Sequence, residues 1–524
     1  MAGQRARALN GSFNKVPVLH SNQPEEVSGP GILINTAPGN AYAAETGRPL
    51  ANARYVFNGE FGLHLHHKYF PPNRASISSS QRRAELTLAT ILINPGVRPV
   101  QIRFKNGGVR NSFEAPYLAN HLMGVKPLGP RPWNTGPGDA TAVQMLRQRL
   151  DRRLRDEITI PARSRIVLFQ TQLPALGIAN ALLRGKSDGP FHMAVVAAKN
   201  PKSDRDLLAV LDSNRLAPGR VYLRRIAEIN RREIFSRVGG VAEGDSYRAS
   251  IRHDLNHQGP LHVPFTSTDR HHFGTRDVQV NPLLSRMVDS SLDNVGTYGV
   301  RYDIDLHLKG SGPYDLVMSH PAARSRKRFT AFRGSLQIHT QQGLKEIHVG
   351  LRSGQSLSLT ELDVQPGEDN LVRVSMVYPA DATPGHLLSV VPSTQLAILQ
   401  QKLRDQKAEL NVKQPATAKP AANPPKVGAI IPVPSPARQA PPARTSKPRQ
   451  TKPDVPPAVP PPAWRSPARL VAPPPSPVVP PERLPQRSPL RPAIPPPPAP
   501  PSLIDRYRQA VEAQRQLLRD LGTR

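Results

Sequence analysis

Apolar and polar positions alternate through most of this chain. Residues 31–35, 86–93, 158–169, 191–197, 302–308 and 371–377 are alternating or rich in Val, Ile and Leu, and Gly, Pro, Asn or Asp bounds each run. A period of two, cut at such residues, predicts β-strands. Helical spacing is scarce. Val143, Leu146, Leu150 and Leu154 predict a helix over 142–156, with Asp139 or Thr141 as its N-cap. Leu396, Leu399, Leu403 and Leu410 predict another over 394–410, with Ser393 as N-cap.

The strand pattern repeats. Strand 88–93, the turn 94–99 and strand 100–104 have a counterpart in strand 304–308, the turn 309–313 and strand 314–318. Each has a later companion that turns at a proline, 158–168 at Pro161 and 362–372 at Pro366. Read as hairpins in the same order, these predict a mainly β protein of two β-sandwich, Ig-like domains with few helices. The first spans 16–215 and carries the helix near 142–156. The second spans 216–393, with the boundary near 211–221. A flexible stretch, 1–15, precedes them and the helix 394–410 follows.

The pattern then stops. More than half of the 60 prolines lie between Pro415 and Pro501, where Asp454 and Glu482 are the only acids and Trp464 the only aromatic. Such a stretch cannot bury enough apolar surface to offset its ordering entropy, so 411–501 reads as a disordered, extended, basic tether. Beyond it, 502–524 regains helical spacing. Ile504, Tyr507, Val511, Leu518 and Leu521 fall at heptad positions, and Leu503 and Leu517 widen the stripe. This predicts an amphipathic docking helix that needs a protein partner or a second copy of the chain.

Composition narrows the chemistry. The net charge is +31, which suits polyanions: nucleic acid, anionic lipid or an acidic wall polymer. Arg147, Arg149, Arg152, Arg153 and Arg155 form a candidate polyanion-binding face on the helix 142–156. No cysteine is present, which excludes disulfides, thiol catalysis and Cys-ligated metal. No apolar run approaches the roughly 18 residues of a membrane helix. The N-terminus is basic but has no apolar core of a signal peptide.

Catalytic signals are weak. Gly185-Lys186-Ser187 echoes a phosphate loop, but Asn180 stands where the first glycine is needed. Asp151, Asp156, Glu157, Asp303 and Asp305 read as solvent-face acids. His64 and His66 share one strand face and are candidate metal ligands, with His271 and His272 as possible completion. Sequence spacing alone favours hydrogen-bonded histidines, so no metal and no cofactor is expected.

A set of short motifs carries a resemblance. Residues 16–25 and 31–36, His66-His67, residues 91–95, 136–139, 236–244, 298–302 and 378–384 occur in an order that resembles a cyanobacterial family catalogued as a domain of unknown function. The match spans 16–391. The resemblance implies an exported protein without an assigned activity. The expected function is therefore a non-enzymatic cell-envelope or periplasmic protein that bridges a partner or an anionic wall polymer through its basic tether. The alternatives are a cytoplasmic nucleic-acid-associated protein and a metal-dependent hydrolase built on His64 and His66.

Overall fold

The computed structural model describes residues 3–72, 84–118, 122–130, 134–234, 236–323, 328–380 and 382–413. The tether and the docking helix expected at 411–501 and 502–524, with Leu503, Ile504, Tyr507, Val511, Leu517, Leu518 and Leu521, lie outside the described residues, apart from the start of the tether. The described residues are mainly β, with few helices. Their strands gather into a nine-stranded sheet, a seven-stranded sheet, two four-stranded sheets and a two-stranded one.

Two sandwiches result. The nine-stranded sheet faces the four-stranded sheet Ser164–Pro174, Ala84–Asn94, His192–Lys199, Gly31–Asn35 across a core that includes Phe61, Leu65, Ile102, Leu88, Val195 and Ile34. The seven-stranded sheet faces the other four-stranded sheet across Tyr302, Ile304, Leu306, Val374, Phe265, Leu316 and Leu388. Each fully buried aliphatic or aromatic side chain contributes roughly 1.5–3 kcal/mol.

The repeated strand–turn–strand units are present, but they are not hairpins. Ala84–Asn94 and Val100–Asn111 lie in opposite sheets, so the turn between them is a corner of the sandwich. Glu157–Ile160 pairs with the second of these strands and Ser164–Pro174 with the first. The second half repeats the device. Arg301–Lys309 crosses to Gly312–Ser319 in the opposite sheet, Ser356–Val364 pairs with the latter, and Asn370–Val377 pairs back with the former. Alternation sets which face of a strand is buried. It says nothing about whether the next strand pairs beside it or packs over it.

A buried asparagine holds each pair of corners together. Asn94 Nδ2 donates to the carbonyls of Arg98, Ile160 and Pro161 at 2.8, 3.2 and 3.0 Å. Its Oδ1 accepts from Gly96 N at 2.9 Å. Asn370 Nδ2 likewise donates to the carbonyls of Leu308, Gln365 and Glu368. Asn94→Ala leaves buried carbonyls without donors and should lower unfolding free energy by roughly 2–3 kcal/mol in urea melts. A loss below about 0.5 kcal/mol would show that water replaces the side chain.

Strands cross the middle of the chain. Gly239–Glu243 pairs with Pro17–Ser21 inside the nine-stranded sheet, and Val241 and Met287 join the first core. In the other direction, Ser12–Phe13 pairs with Ser246–Asp254, and Gly124–Pro127 pairs with Gly343–Arg352. The N-terminal stretch expected to be flexible is thus partly built in: Leu9 is buried in the second core, and Arg7 N donates to the His262 carbonyl.

The first helix lies earlier than its spacing suggests. It spans Pro137–Leu146 rather than 142–156. Gly136, at φ 88°, turns the chain into Pro137, whose locked φ suits the first helical turn. Beyond Leu146 the helix ends, with Gln148 at φ 53°. The helix is buried along most of its length, because Ala142 and Leu146 pack between Leu182 of one sandwich and Val377 of the other. The other expected helix spans Ser393–Lys413, one residue earlier than expected at its start, and its Leu396 packs on Val317 and Val391.

Candidate functional site

The alternation of Arg301–Lys309 builds the most distinctive surface of the body. Tyr302, Ile304, Leu306 and Leu308 point into the core, leaving Arg301, Asp303, Asp305 and His307 on the other face. The neighbouring strands present polar residues in register. One row across the sheet reads Arg248, Asp303, Ser375, Gln337; the next reads Ser250, Asp305, Arg373, His339. These rows floor an open cleft of about 600 Å³, walled by Gln148 beyond the helix and Arg184 from the other sandwich. A smaller hollow of about 220 Å³ shares Gln148, Arg184 and Arg301, and adds Lys105 and Asp245.

Four arginines face two aspartates in the larger cleft. Arg373 binds Asp305 in fork fashion, Nε–Oδ1 2.6 Å and Nη2–Oδ2 2.8 Å, and this holds the Asp305 carboxyl below its ordinary range. Arg301 Nε spans both oxygens of Asp303 at 3.1 and 2.9 Å, and Ser375 Oγ donates to Asp303 at 2.6 Å. Arg184 pairs with Asp245, whose carboxyl burial pushes up. Its Nε is buried without a hydrogen-bond partner. Arg248 is exposed, and among the described residues its guanidinium makes no hydrogen bond or ion pair. The cleft therefore keeps unspent donors beside paired carboxylates.

Sequence reasoning placed the basic face elsewhere. Of its five arginines, Arg147 lies at the end of the helix and clamps Glu346, with Nη2–Oε2 at 2.6 Å, while donating to the carbonyls of Gly129 and Pro130. Arg153 pairs with Glu114 and Asp151. Arg149, Arg152 and Arg155 are exposed and carry no ion pair among the described residues. All four residues from Arg149 onward lie beyond the helix, so they form no helical face. Asp151, expected at the surface, is buried against Arg110. Arg184, Arg248, Arg301 and Arg373 were missed, although the polar half of the strand alternation carried the signal for Arg248, Arg301 and Arg373. Gly185-Lys186-Ser187 sits inside the strand Ile178–Ser187, which ends its reading as a phosphate loop.

The histidines of the strand Glu60–Tyr69 are internal, as is His20. His20 and His64 approach at 3.2 Å between their Nδ1 atoms, and His64 stacks 6.5 Å from His66. His66 Nδ1 lies 2.9 Å from the Asn180 side-chain amide. His67, on the opposite strand face, meets Ser21 Oγ at 2.8 Å and the Pro24 carbonyl at 2.7 Å. Burial lowers His20 and His67 to about 3 and holds His64 well below its ordinary value. His271 packs instead against His320, and His272 Nδ1 is buried without a hydrogen bond. The structure does not assemble His64, His66, His271 and His272. Among the described residues, no group of three His, Asp or Glu side chains is placed to hold a metal.

A further polar cluster resembles a hydrolytic triad in composition only. Asp139 Oδ2 lies 3.1 Å and Ser335 Oγ 3.4 Å from the same atom, His348 Nδ1. Ser335 donates to Asp139 at 3.0 Å. A relay needs its nucleophile and its carboxylate on opposite ring nitrogens. This cluster instead pins the helix Pro137–Leu146 to the seven-stranded sheet.

Among the described residues, no helix is long and apolar enough to cross a membrane. A family model described as "Protein of unknown function (DUF3370)" matches residues 4–392. No curated protein matches the chain.

Proposed function

We propose, from the premise that this chain belongs to the DUF3370 family of proteins of unknown function, that it is a non-enzymatic binding protein of the cell envelope whose body holds an anionic polymer in the arginine cleft. The carrying observation is the cleft itself, lined by four arginines around about 600 Å³ of open space, of which Arg248 makes no ion pair among the described residues. A basic groove concentrates anions along its length, and unpaired guanidinium groups are the ones free to meet them. We read the body as two β-sandwich domains joined by exchanged strands, a rigid platform for such a groove. The segment 411–501 then serves as the basic tether and 502–524 as the docking element for a protein partner. The envelope assignment rests on the resemblance to an exported family.

The test is calorimetric titration of the full chain with polygalacturonate and with long-chain polyphosphate at about 0.15 M salt, where loose attraction to the basic tether is weakened. At least one polymer should bind, and Arg248→Glu should weaken it roughly tenfold, about 1.4 kcal/mol, without changing the melting temperature. Equal binding by the variant would remove the cleft from the account.

A further inference from the structure

The cleft is not uniformly basic, and its pattern restricts the ligand. We infer that it takes an acidic glycan, a polymer of hydroxyl-bearing units with separated carboxylates, in preference to a phosphodiester or polyphosphate chain. This rests on the reading of the cleft as an anion site and names the ligand class. Asp303 and Asp305 stand at the centre of the floor, each already engaged by an arginine. A polyphosphate chain, charged at every unit and without hydroxyl donors, would only press anions against these two carboxylates. A sugar chain would offer them hydroxyl donors instead, and a carboxylate still has lone pairs to accept them.

The remaining lining supports the same class. Ser246, Ser250, Ser375, Gln148 and His339 alternate donors and acceptors around the charged rows, the kind of surface that reads hydroxyls in defined directions. The cations of the lining are separated rather than continuous. Arg248 stands on one strand of the floor, and Arg184 comes from the opposite sandwich. Arg248 and Arg373 are two strand spacings and one row apart, roughly 12 Å. Guanidinium matches a single carboxylate in a fork, as Arg373 does with Asp305 here. Phe, Tyr and Trp are absent from the lining residues, so bases would find no stacking platform.

The experiment compares oligogalacturonate, polyphosphate and uncharged dextran on the full chain by calorimetry at about 0.15 M salt, with Arg248→Gln and Asp305→Asn. Oligogalacturonate should bind at least roughly tenfold more tightly than either other polymer and lose roughly tenfold on Arg248→Gln. Asp305→Asn removes the floor charge and frees Arg373, so polyphosphate should gain several-fold while oligogalacturonate does not. Polyphosphate binding as tightly as oligogalacturonate, and falling on Arg248→Gln, would overturn the glycan assignment while leaving the anion site intact. Dextran binding equal to oligogalacturonate would overturn the assignment too, because the carboxylates would then go unread. Insensitivity of every polymer to Arg248→Gln would overturn both readings. Unchanged melting temperatures show that the variants remain folded.

Discussion

Acidification should unfold this protein well above the pH at which its carboxylates titrate. His20 and His67 are buried and neutral, held by desolvation at about 3 from an ordinary 6.5. His64 and His386 are also held well below their ordinary value by burial and by neighbouring histidines. Above pH 6.5 neither the folded nor the unfolded chain protonates these rings, so they leave stability unaffected. Below it, the unfolded chain binds protons that the folded chain refuses. Stability therefore falls as pH falls, and the loss from these two rings continues to about pH 3. At pH 4, His20 and His67 each remove about 3 kcal/mol. A domain's whole stability is about 5–15 kcal/mol. Glu25 adds to the loss at lower pH. Burial opposes its ionisation, but Lys68 and Arg237 outweigh that and hold its carboxyl far below the usual range. Urea midpoints measured from pH 7.5 to 4 should drop steeply below pH 6, and His67→Gln should reduce that drop by about 3 kcal/mol. A midpoint that stays level to pH 4 would mean the rings are charged or solvated in the folded protein.

The second large effect is expected at Asp289. Its carboxylate meets Arg220 Nη1 at 3.1 and 3.0 Å, and neither side chain has any exposed surface. Arg220 Nη2 also donates to the Leu33 carbonyl, and Gln23 Nε2 donates to Asp289 at 3.1 Å. The pair joins the end of the first half of the chain to the second half, beneath the strands that cross between them. Asp289→Ala leaves a guanidinium buried without its counter-charge and should cost about 3–5 kcal/mol. The double variant Arg220→Met, Asp289→Leu should recover much of this loss, since it removes both charges and refills the space. Thermal and urea melts of the three proteins decide it. A single variant within about 1 kcal/mol of the parent, or a double variant no better than the single, would contradict the description of this pair.

The sequence by itself determined the strands, their buried faces and the repeated strand–turn–strand order, because each is a local consequence of period-two alternation and of Gly, Pro and Asn at its ends. Gly31–Asn35 lies where that reading put it, and the helix at Ser393 starts one residue earlier than it did there. It also marked where the strand pattern stops, because composition alone excludes a core there. Tertiary structure decided which strands pair and which pack across a core. Loops 94–99 and 309–313 look like hairpin turns, yet each crosses between sheets, and nothing local separates the two outcomes. Burial of His64, His66 and Asp151 was equally illegible, since their polarity argued for the surface and only the packing around them supplies partners. The helix at Pro137–Leu146 is held by contacts on both sides, which overrode the spacing that would have carried it to residue 156. The cleft is the clearest case. Arg184, Arg248, Arg301 and Arg373 lie far apart along the chain; sheet register brings Arg248, Arg301 and Arg373 onto one face, and only tertiary packing adds Arg184 from the other sandwich.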